Sequence, residues 1–235
     1  DLVVASADVP KDNPEISEAE KMKIPVKTYA EAIGPFTRRY KTIAVAGAHG
    51  KSTTTALIAL MLTAGKKDPT VVVGTKLNEF GQKNFRHGHS PFFVLEADEH
   101  YASFHNYSPA IAVLTNIDRE HLDHYGTIRK IEAAFLKFLL GTKRSGSIIL
   151  NRDDPRLRRM ATRLRRARPD LSIIWYSLKD PQAGAIRRIL QIPGRHNLSN
   201  ALAARAAARA IGVREPEIRH VLSNYRGAWR RFDYQ

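Results

Sequence analysis

The sequence predicts an α/β fold, a mainly parallel sheet flanked by helices, on three observations. Short apolar runs alternate with stretches of helical periodicity along most of the 235 residues, the pattern of repeated strand–crossover–strand units. One β-branched run, Thr42-Ile-Ala-Val-Ala46, leads straight into Gly47-Ala-His-Gly-Lys-Ser-Thr53 and then into apolar residues at helical spacing (Ala56, Leu57, Ile58, Leu60, Met61, Leu62). Two further apolar runs end in clusters of acidic residues and histidines, at Glu96 and at Asp118 to His124. In open α/β sheets ligands sit beyond the carboxyl ends of the strands, where these clusters fall.

The elements follow in order. Leu2–Ser6 reads as a strand, and Asn13-Pro14 turns the chain into a helix that runs to about Lys23. Ile24–Val26 is short and extended, and Thr28–Arg39 has helical spacing. The strand at 42–46 feeds a helix from Lys51 to about Ala64. Strands are expected at Thr70–Val73, Phe92–Glu96, Ala110–Leu114, Ser147–Leu150 and Ser172–Tyr176, all short apolar runs rich in β-branched or aromatic residues. Helices are expected at Ile128–Leu140, Asp154–Ala167, His196–Ile211 and Glu215–Asn224.

Length and composition bound the function. The chain is long enough for one large α/β domain plus fragments. It has no cysteine, which excludes disulfides and a thiol catalyst and fits a cytoplasmic location. No apolar run approaches membrane-spanning length and the start, Asp-Leu-Val-Val, is not a signal peptide, so no membrane insertion is expected. Lacking an initiating Met, the chain reads as a segment of something larger.

The formal charge is +15, and part of the excess is concentrated. Arg156, Arg158, Arg159, Arg163, Arg165, Arg166 and Arg168 surround Leu157, Met160, Ala161 and Leu164, which share one helical face. Such a stretch is either a surface for nucleic acid or anionic membrane, or an amphipathic helix with an arginine-rich outer side. Without interleaved aromatics or a nucleic-acid motif the second reading is preferred, and no nucleic-acid partner is expected. A positive field also suits anionic nucleotide substrates.

The segment Gly47 to Thr53 has the layout of a phosphate-binding loop. Glycines let backbone N–H groups converge on phosphate oxygens, the helix N-terminus adds partial positive charge, Lys51 neutralises the outer phosphates, and Ser52 offers a hydroxyl to Mg²⁺. The longer form of this loop has a glycine five residues before Gly50, where this chain has Val45; this is the shorter Gly-x-x-Gly-Lys-Ser form.

Three clusters stand beside it. Glu96, Asp98 and Glu99 follow an apolar strand, and a carboxylate there can hold Mg²⁺ on nucleotide phosphates. Glu96, first after the strand, is the preferred ligand; for Asp98 and Glu99, solvation of the loop competes. Leu114 to Tyr125 carries His121, Asp123 and His124, too compressed for a helix-borne zinc pair. One histidine, His121, is left to complete a metal shell, to contact phosphate, or to play a structural part. In Pro193 to Ala204, Asn197 and Asn200 lie on one face of a first helical turn. Their carboxamides can pair with a base such as adenine, or simply cap the helix.

Taken together, Gly47-Ala-His-Gly-Lys-Ser-Thr-Thr-Thr, Glu96-Ala-Asp-Glu, Thr115-Asn-Ile with His121-Leu-Asp-His-Tyr, Asn151-Arg-Asp-Asp-Pro, Gly194-Arg-His-Asn-Leu-Ser-Asn-Ala-Leu-Ala-Ala and Arg230-Arg-Phe resemble, in that order, the motifs of the Mur ligases. Within the family the Glu-Ala-Asp-Glu and Arg-Arg-Phe forms look most like the alanine-adding branch. The branch that recycles muropeptides stands close by, and folylpolyglutamate synthases further off.

The resemblance implies an ATP-dependent ligase joining L-alanine to UDP-N-acetylmuramate through an acyl phosphate, in peptidoglycan synthesis. It implies that Gly47, Ala48, His49, Gly50, Lys51, Ser52 and Thr53 bind ATP, with Lys51 on the phosphates. It implies Ser52, Glu96 and His121 as Mg²⁺ ligands, Lys51, Glu96 and His121 as the catalytic set, Asn197 and Asn200 at adenine, and Arg231 on the phosphates. It further implies that 1–40 is the end of a UDP-binding domain, 41–227 the central ATP-binding domain, and 228–235 a junction to a third domain. The sequence departs from the family in Ala48, where threonine is usual, and in a short segment from Ser177 to Ile192. A chain without the closing domain is expected to bind nucleotide weakly and to turn over little, as would a non-catalytic nucleotide-binding module.

Overall fold

The structure is a computed structural model that describes residues 1–10 and 12–228. It opens with β1 (Val3–Ala5), α1 (Pro14–Lys21), β2 (Val26–Thr28) and α2 (Tyr29–Arg39). β1 and β2 pair in parallel as a two-stranded sheet of their own. The extended segment begins two residues later than Ile24 because Lys23 takes a left-handed backbone (φ 56°) and the Ile24 amide donates back to Ala19 O at 2.8 Å. That contact caps the end of α1. Thr28 and Glu31 form a capping box that starts α2.

The main sheet is built from β3 (Lys41–Ala46), β4 (Thr70–Leu77), β5 (Lys83–Arg86), β6 (Phe92–Glu96), β7 (Ile111–Leu114), β8 (Ser147–Asn151) and β9 (Ser172–Tyr176). Between and after these strands run α3 (Lys51–Ala64), α4 (Leu122–Tyr125), α5 (Ile128–Leu140), α6 (Pro155–Ala167), α7 (Ala183–Ile189), α8 (Arg195–Ala210) and α9 (Glu215–Asn224). The strand order is β5-β4-β6-β3-β7-β8-β9, parallel throughout except for β5, which runs antiparallel to β4. The expected mainly parallel α/β architecture is the one observed.

Alternation along the central strands divides the interior into two layers. Ile43, Val45, Val94, Val113 and Ile149 point to one face, against α3, α8 and α9. Ala44, Ala46, Phe93, Leu95, Ala112 and Leu114 point to the other, where α5 and α6 pack. The small side chains of that second face leave room for aromatic rings. Phe104 stacks on Phe138 with centroids 4.9 Å apart and meets Phe135 edge-on at 5.3 Å. The arginine-rich α6 buries Leu157, Met160, Ala161 and Leu164 as its periodicity predicts, and Glu132 on α5 reaches Arg156 at 3.5 Å and Arg159 at 3.9 Å. No helix of the described residues is long and apolar enough to cross a membrane.

Further elements depart from the expectation. β4 runs on to Leu77 rather than stopping at Val73, because β5 pairs along it as an antiparallel edge strand. The turn of helix at α7 lies in the short segment after Ser177, where no regular element was expected.

What positions the site is the strand order. β3 lies between β6 and β7, while α3 carries the chain from β3 across to β4 on the far side of β6. The connection from β3 thus runs to one side of that strand and the later connection from β6 to β7 crosses to the other, opening a crevice at the carboxyl ends of β3, β6 and β7.

Candidate active site

Gly47 to Gly50 connect β3 to α3. The turn requires its two glycines. Gly47 has φ 136°, and a Cβ there would lie 2.1 Å from Thr115 Oγ1; Gly50 has φ 83°, and a Cβ would lie 2.2 Å from Asn200 Oδ1. The loop is thus wedged between the end of β7 and the first turn of α8. Asn116 fastens it: the His49 amide donates to Asn116 Oδ1 at 2.9 Å, and Asn116 Nδ2 donates to His49 O at 2.9 Å. The Ala48 amide also donates to Asn116 O, at 3.2 Å. The amides of Ala48 and His49 are thus engaged by the protein, and the first-turn amides of α3, which have no intrahelical acceptor, remain to meet an anion.

Lys51 and Ser52 start α3 and face the end of β6. The Ser52 hydroxyl donates to Glu96 Oε1 at 2.9 Å, while Glu96 Oε2 accepts the Gly74 amide of β4 at 2.6 Å. Lys51 does not stand free over the loop. Its ammonium donates to both carboxylate oxygens of Glu99, at 2.8 and 2.9 Å, and to Gly47 O at 2.9 Å. Glu99 is 2% exposed, so solvation of the loop does not describe it, whereas Asp98 beside it is exposed. Burial pushes the Glu99 carboxyl above the usual carboxylate range, and the neighbouring Lys51 charge opposes that shift.

His121 sits at the start of α4 with a left-handed backbone (φ 53°). Its Nε2 lies 3.7 Å from Glu99 Oε1, and its ring stacks on His100 with centroids 4.4 Å apart. Tyr101 and Ala102 are also left-handed, a strain of about 1–3 kcal/mol each for non-glycine residues that surrounding contacts must hold. Two such contacts are visible. The Ala102 amide donates to Glu99 O at 2.9 Å, and the Tyr125 hydroxyl donates to the same carbonyl. Burial and the nearby Glu99 charge push the Tyr125 phenol up to about 12, keeping it protonated as a donor.

Among the described residues, two oxygen-rich groups could hold a hard cation. One is Ser52 with Glu96. The other is Asp98, Glu99 and His121, one ligand atom from each lying within 4.8 Å of the others. Carboxylate and hydroxyl oxygens of this kind suit Mg²⁺, which keeps much of its water and takes one or two carboxylates. Glu96 and His121, grouped at the level of sequence, fall into different groups here. Glu99 is the residue that sequence reading undervalued; the signal that bore on it was its position, three residues after Glu96 and ahead of an aromatic-rich segment.

Asn197 and Asn200 are buried, on one face of α8. Asn200 Nδ2 donates to Asn197 Oδ1 at 3.5 Å, and Asn197 Nδ2 donates back to Pro193 O at 2.7 Å. Both line a cavity of about 810 Å³ together with Gly50, Thr53, Leu178 and Ile192. Asn197 thus ties down the turn before the helix, and the pair also fronts the cavity beside the loop. A second cavity of about 450 Å³ opens on the other side of Glu96, between Ser6 and Asp8, in the segment after β1, and Asp98, His100 and Tyr107. Arg231 lies outside the described residues.

Comparison with known proteins agrees with this arrangement. Residues 45–191 match the Mur ligase middle domain. The UDP-N-acetylmuramate–L-alanine ligase of Pelotomaculum thermopropionicum is 41% identical over 255 residues, covering 99% of this chain and 54% of that protein. The protein of the same name from Solibacter usitatus is 41% identical over 98% of this chain and 52% of its own length. The crystal structure of the UDP-N-acetylmuramate–alanine ligase of Thermotoga maritima superposes with a TM-score of 0.81 at 26% identity, covering 98% of this chain and 56% of that one. A Neisseria UDP-N-acetylmuramate:L-alanyl-γ-D-glutamyl-meso-diaminopimelate ligase reaches the same TM-score at 22% identity, over 97% of this chain and 79% of that one, a likeness of fold alone. The chain spans about half the length of the curated relatives it matches.

Proposed function

The chain belongs to the Mur ligase family, and from that membership we propose that it is the ATP-binding part of a ligase that joins L-alanine to UDP-N-acetylmuramate. The observation that carries the reading is the meeting of Lys51 and Ser52, at the start of α3, with Glu96, at the end of β6, and Glu99, three residues beyond it. A phosphate-binding turn faced by carboxylates from the neighbouring strand is the equipment of phosphoryl transfer. The choice of L-alanine as the amine rests on the 41% identity to alanine ligases.

In this reading ATP lies with its base in the cavity fronted by Asn197 and Asn200 and its phosphates over Gly50 to Thr53. Ser52 and Glu96 would hold Mg²⁺, and His121 would serve the neighbouring group with Asp98 and Glu99. Bound Mg²⁺ screens the phosphate oxygens, so that a second anion can approach. The muramoyl carboxylate enters from the cavity beyond Glu96, and its oxygen bonds to the γ-phosphorus as the bond to the ADP oxygen breaks. The amine nitrogen of L-alanine then attacks the acyl carbon, inorganic phosphate leaves through a tetrahedral intermediate, and the nitrogen loses its proton. Lys51 and the N-terminus of α3 offset the repulsion between the two anions in the first step. Water must be kept from the acyl phosphate, which domain closure in a multidomain ligase achieves.

We further propose that residues 1–40 contribute to the acid-substrate side and residues 41–227 to the nucleotide side. The test is ADP release by the protein that carries this chain. Release that requires UDP-N-acetylmuramate and L-alanine together supports the reading. Release driven instead by the tripeptide L-alanyl-γ-D-glutamyl-meso-diaminopimelate would assign the protein to the recycling branch.

A further inference from the structure

We propose that Glu99 is the resting counter-ion of the loop lysine, and that nucleotide claims Lys51 readily only when a divalent cation replaces the ammonium at Glu99. The inference rests on the nucleotide-binding reading above and adds a positioning residue to it.

The argument begins with donor capacity. A lysine ammonium has three N–H donors. Here they meet Glu99 Oε1, Glu99 Oε2 and Gly47 O, all within 2.9 Å, with Ala48 O further off at 3.4 Å. A phosphate oxygen can gain Lys51 only by displacing one of these partners. Displacing Gly47 O leaves the ammonium drawn into the protein, so the partner that must yield is Glu99.

Glu99 cannot follow the lysine or turn to solvent. Its side chain is 3% exposed, and its carbonyl is gripped by the Tyr125 hydroxyl and the Ala102 amide. Once Lys51 leaves, a buried carboxylate faces incoming phosphate oxygens with Asp98 beside it. A buried charge that loses its partner is strongly unfavourable. The groups left around it, Asp98 and His121, are the ones whose ligand atoms gather within 4.8 Å. The His100 ring holds the His121 imidazole in that position. A divalent cation there restores the missing positive charge, and nucleotide and cation then bind with positive coupling, beyond the affinity of the metal–nucleotide complex itself.

The experiment measures dissociation constants for ADP and a non-hydrolysable ATP analogue by calorimetry, in EDTA and in magnesium chloride. Glu99→Gln keeps the size of the side chain and removes the charge. The expected result is tighter metal-free binding, by about tenfold, and loss of most of the enhancement by magnesium, within the usual range of coupling between sites. In a Lys51→Met background the Glu99→Gln effect in EDTA is expected to fall to about a third or less of its fold-change, because the captured lysine is gone. Glu99→Gln that binds as the parent does in EDTA, or more weakly, overturns the proposal. So does an effect of full size without Lys51, which would make Glu99 only a repulsive charge. Should Glu99→Gln fail to give the cooperative thermal transition of the parent, Glu99→Asp, which lengthens the lysine contact, is expected to move both constants in the same direction. No change in Glu99→Asp would equally overturn it. Failure of the parent to bind nucleotide under either condition is a different result, and would refute the nucleotide reading itself.

Discussion

Ser52 and Glu96 meet across the mouth of the turn between β3 and α3, the hydroxyl donating to Glu96 Oε1 at 2.9 Å while Glu96 Oε2 accepts the Gly74 amide at 2.6 Å. The carboxylate is therefore fixed from α3 and from β4 before any ligand arrives. Glu96→Ala is expected to lower ATP-dependent phosphate release by about 100-fold or more, by removing the proposed metal ligand and the group that orients Ser52. Glu96→Gln should preserve thermal stability yet remain inactive. Kinetics as a function of magnesium concentration, with melting curves of both variants, check this; a Gln variant of near-normal activity would contradict the assigned role.

Gly50 lets Asn200 close on the turn. Gly50→Ala places a methyl group 2.2 Å from Asn200 Oδ1 on a backbone at φ 83°, a strain of about 1–3 kcal/mol from the backbone alone. Adding Asn200→Ala relieves the contact but not the backbone. The double variant is expected to be less destabilised than the sum of the singles, measured by urea denaturation.

Asp68 ties the loop before β6 to the loop before β4. The His89 amide, followed by the Arg86 guanidinium, holds the Asp68 carboxyl down to about 2. Because the folded value lies below the ordinary one, this contribution is complete above about pH 4 and is lost as pH falls toward 2. Asp68→Asn is expected to flatten that limb of the melting temperature against pH, with little effect near neutrality.

Phe104 anchors the segment that follows Glu99. It is fully buried and its amide donates to Asp98 O at 3.0 Å. Phe104→Ala is expected to cost about 3–5 kcal/mol in urea denaturation, and Phe104→Leu markedly less. Nucleotide binding should weaken in the Ala variant even at temperatures where it remains folded, because Glu99 loses its support.

Much of this site is legible in sequence because its parts are local. Gly47 to Thr53 carries its own turn, Glu96 follows its strand directly, and Asn197 and Asn200 announce themselves on one helical turn. The rest depends on contacts between distant segments. Glu99 is adjacent to Asp98 in the chain, yet one is buried and the other exposed, and the difference comes from Tyr125, Lys51 and the left-handed turn at Tyr101 and Ala102. β5 was missed for a related reason. Lys-Asn-Phe-Arg has no alternation of its own, and becomes a strand only because β4 extends to meet it.

The central position of β3 also has a consequence for how the protein is made. Val45 pairs with Glu96 on one side and with Val113 on the other, so both hydrogen-bonding edges of the strand wait for partners that leave the ribosome long after it. Until they arrive, a strand whose residues 42–46 are all buried in the finished fold has no neighbours, and the turn has no Asn116 to fasten it. Nucleotide can recognise only the finished crevice, and by mass action it draws the chain toward that state. Nucleotide supplied during refolding is therefore expected to raise the recovered yield, an effect that grows with the slow pairing of non-local strands.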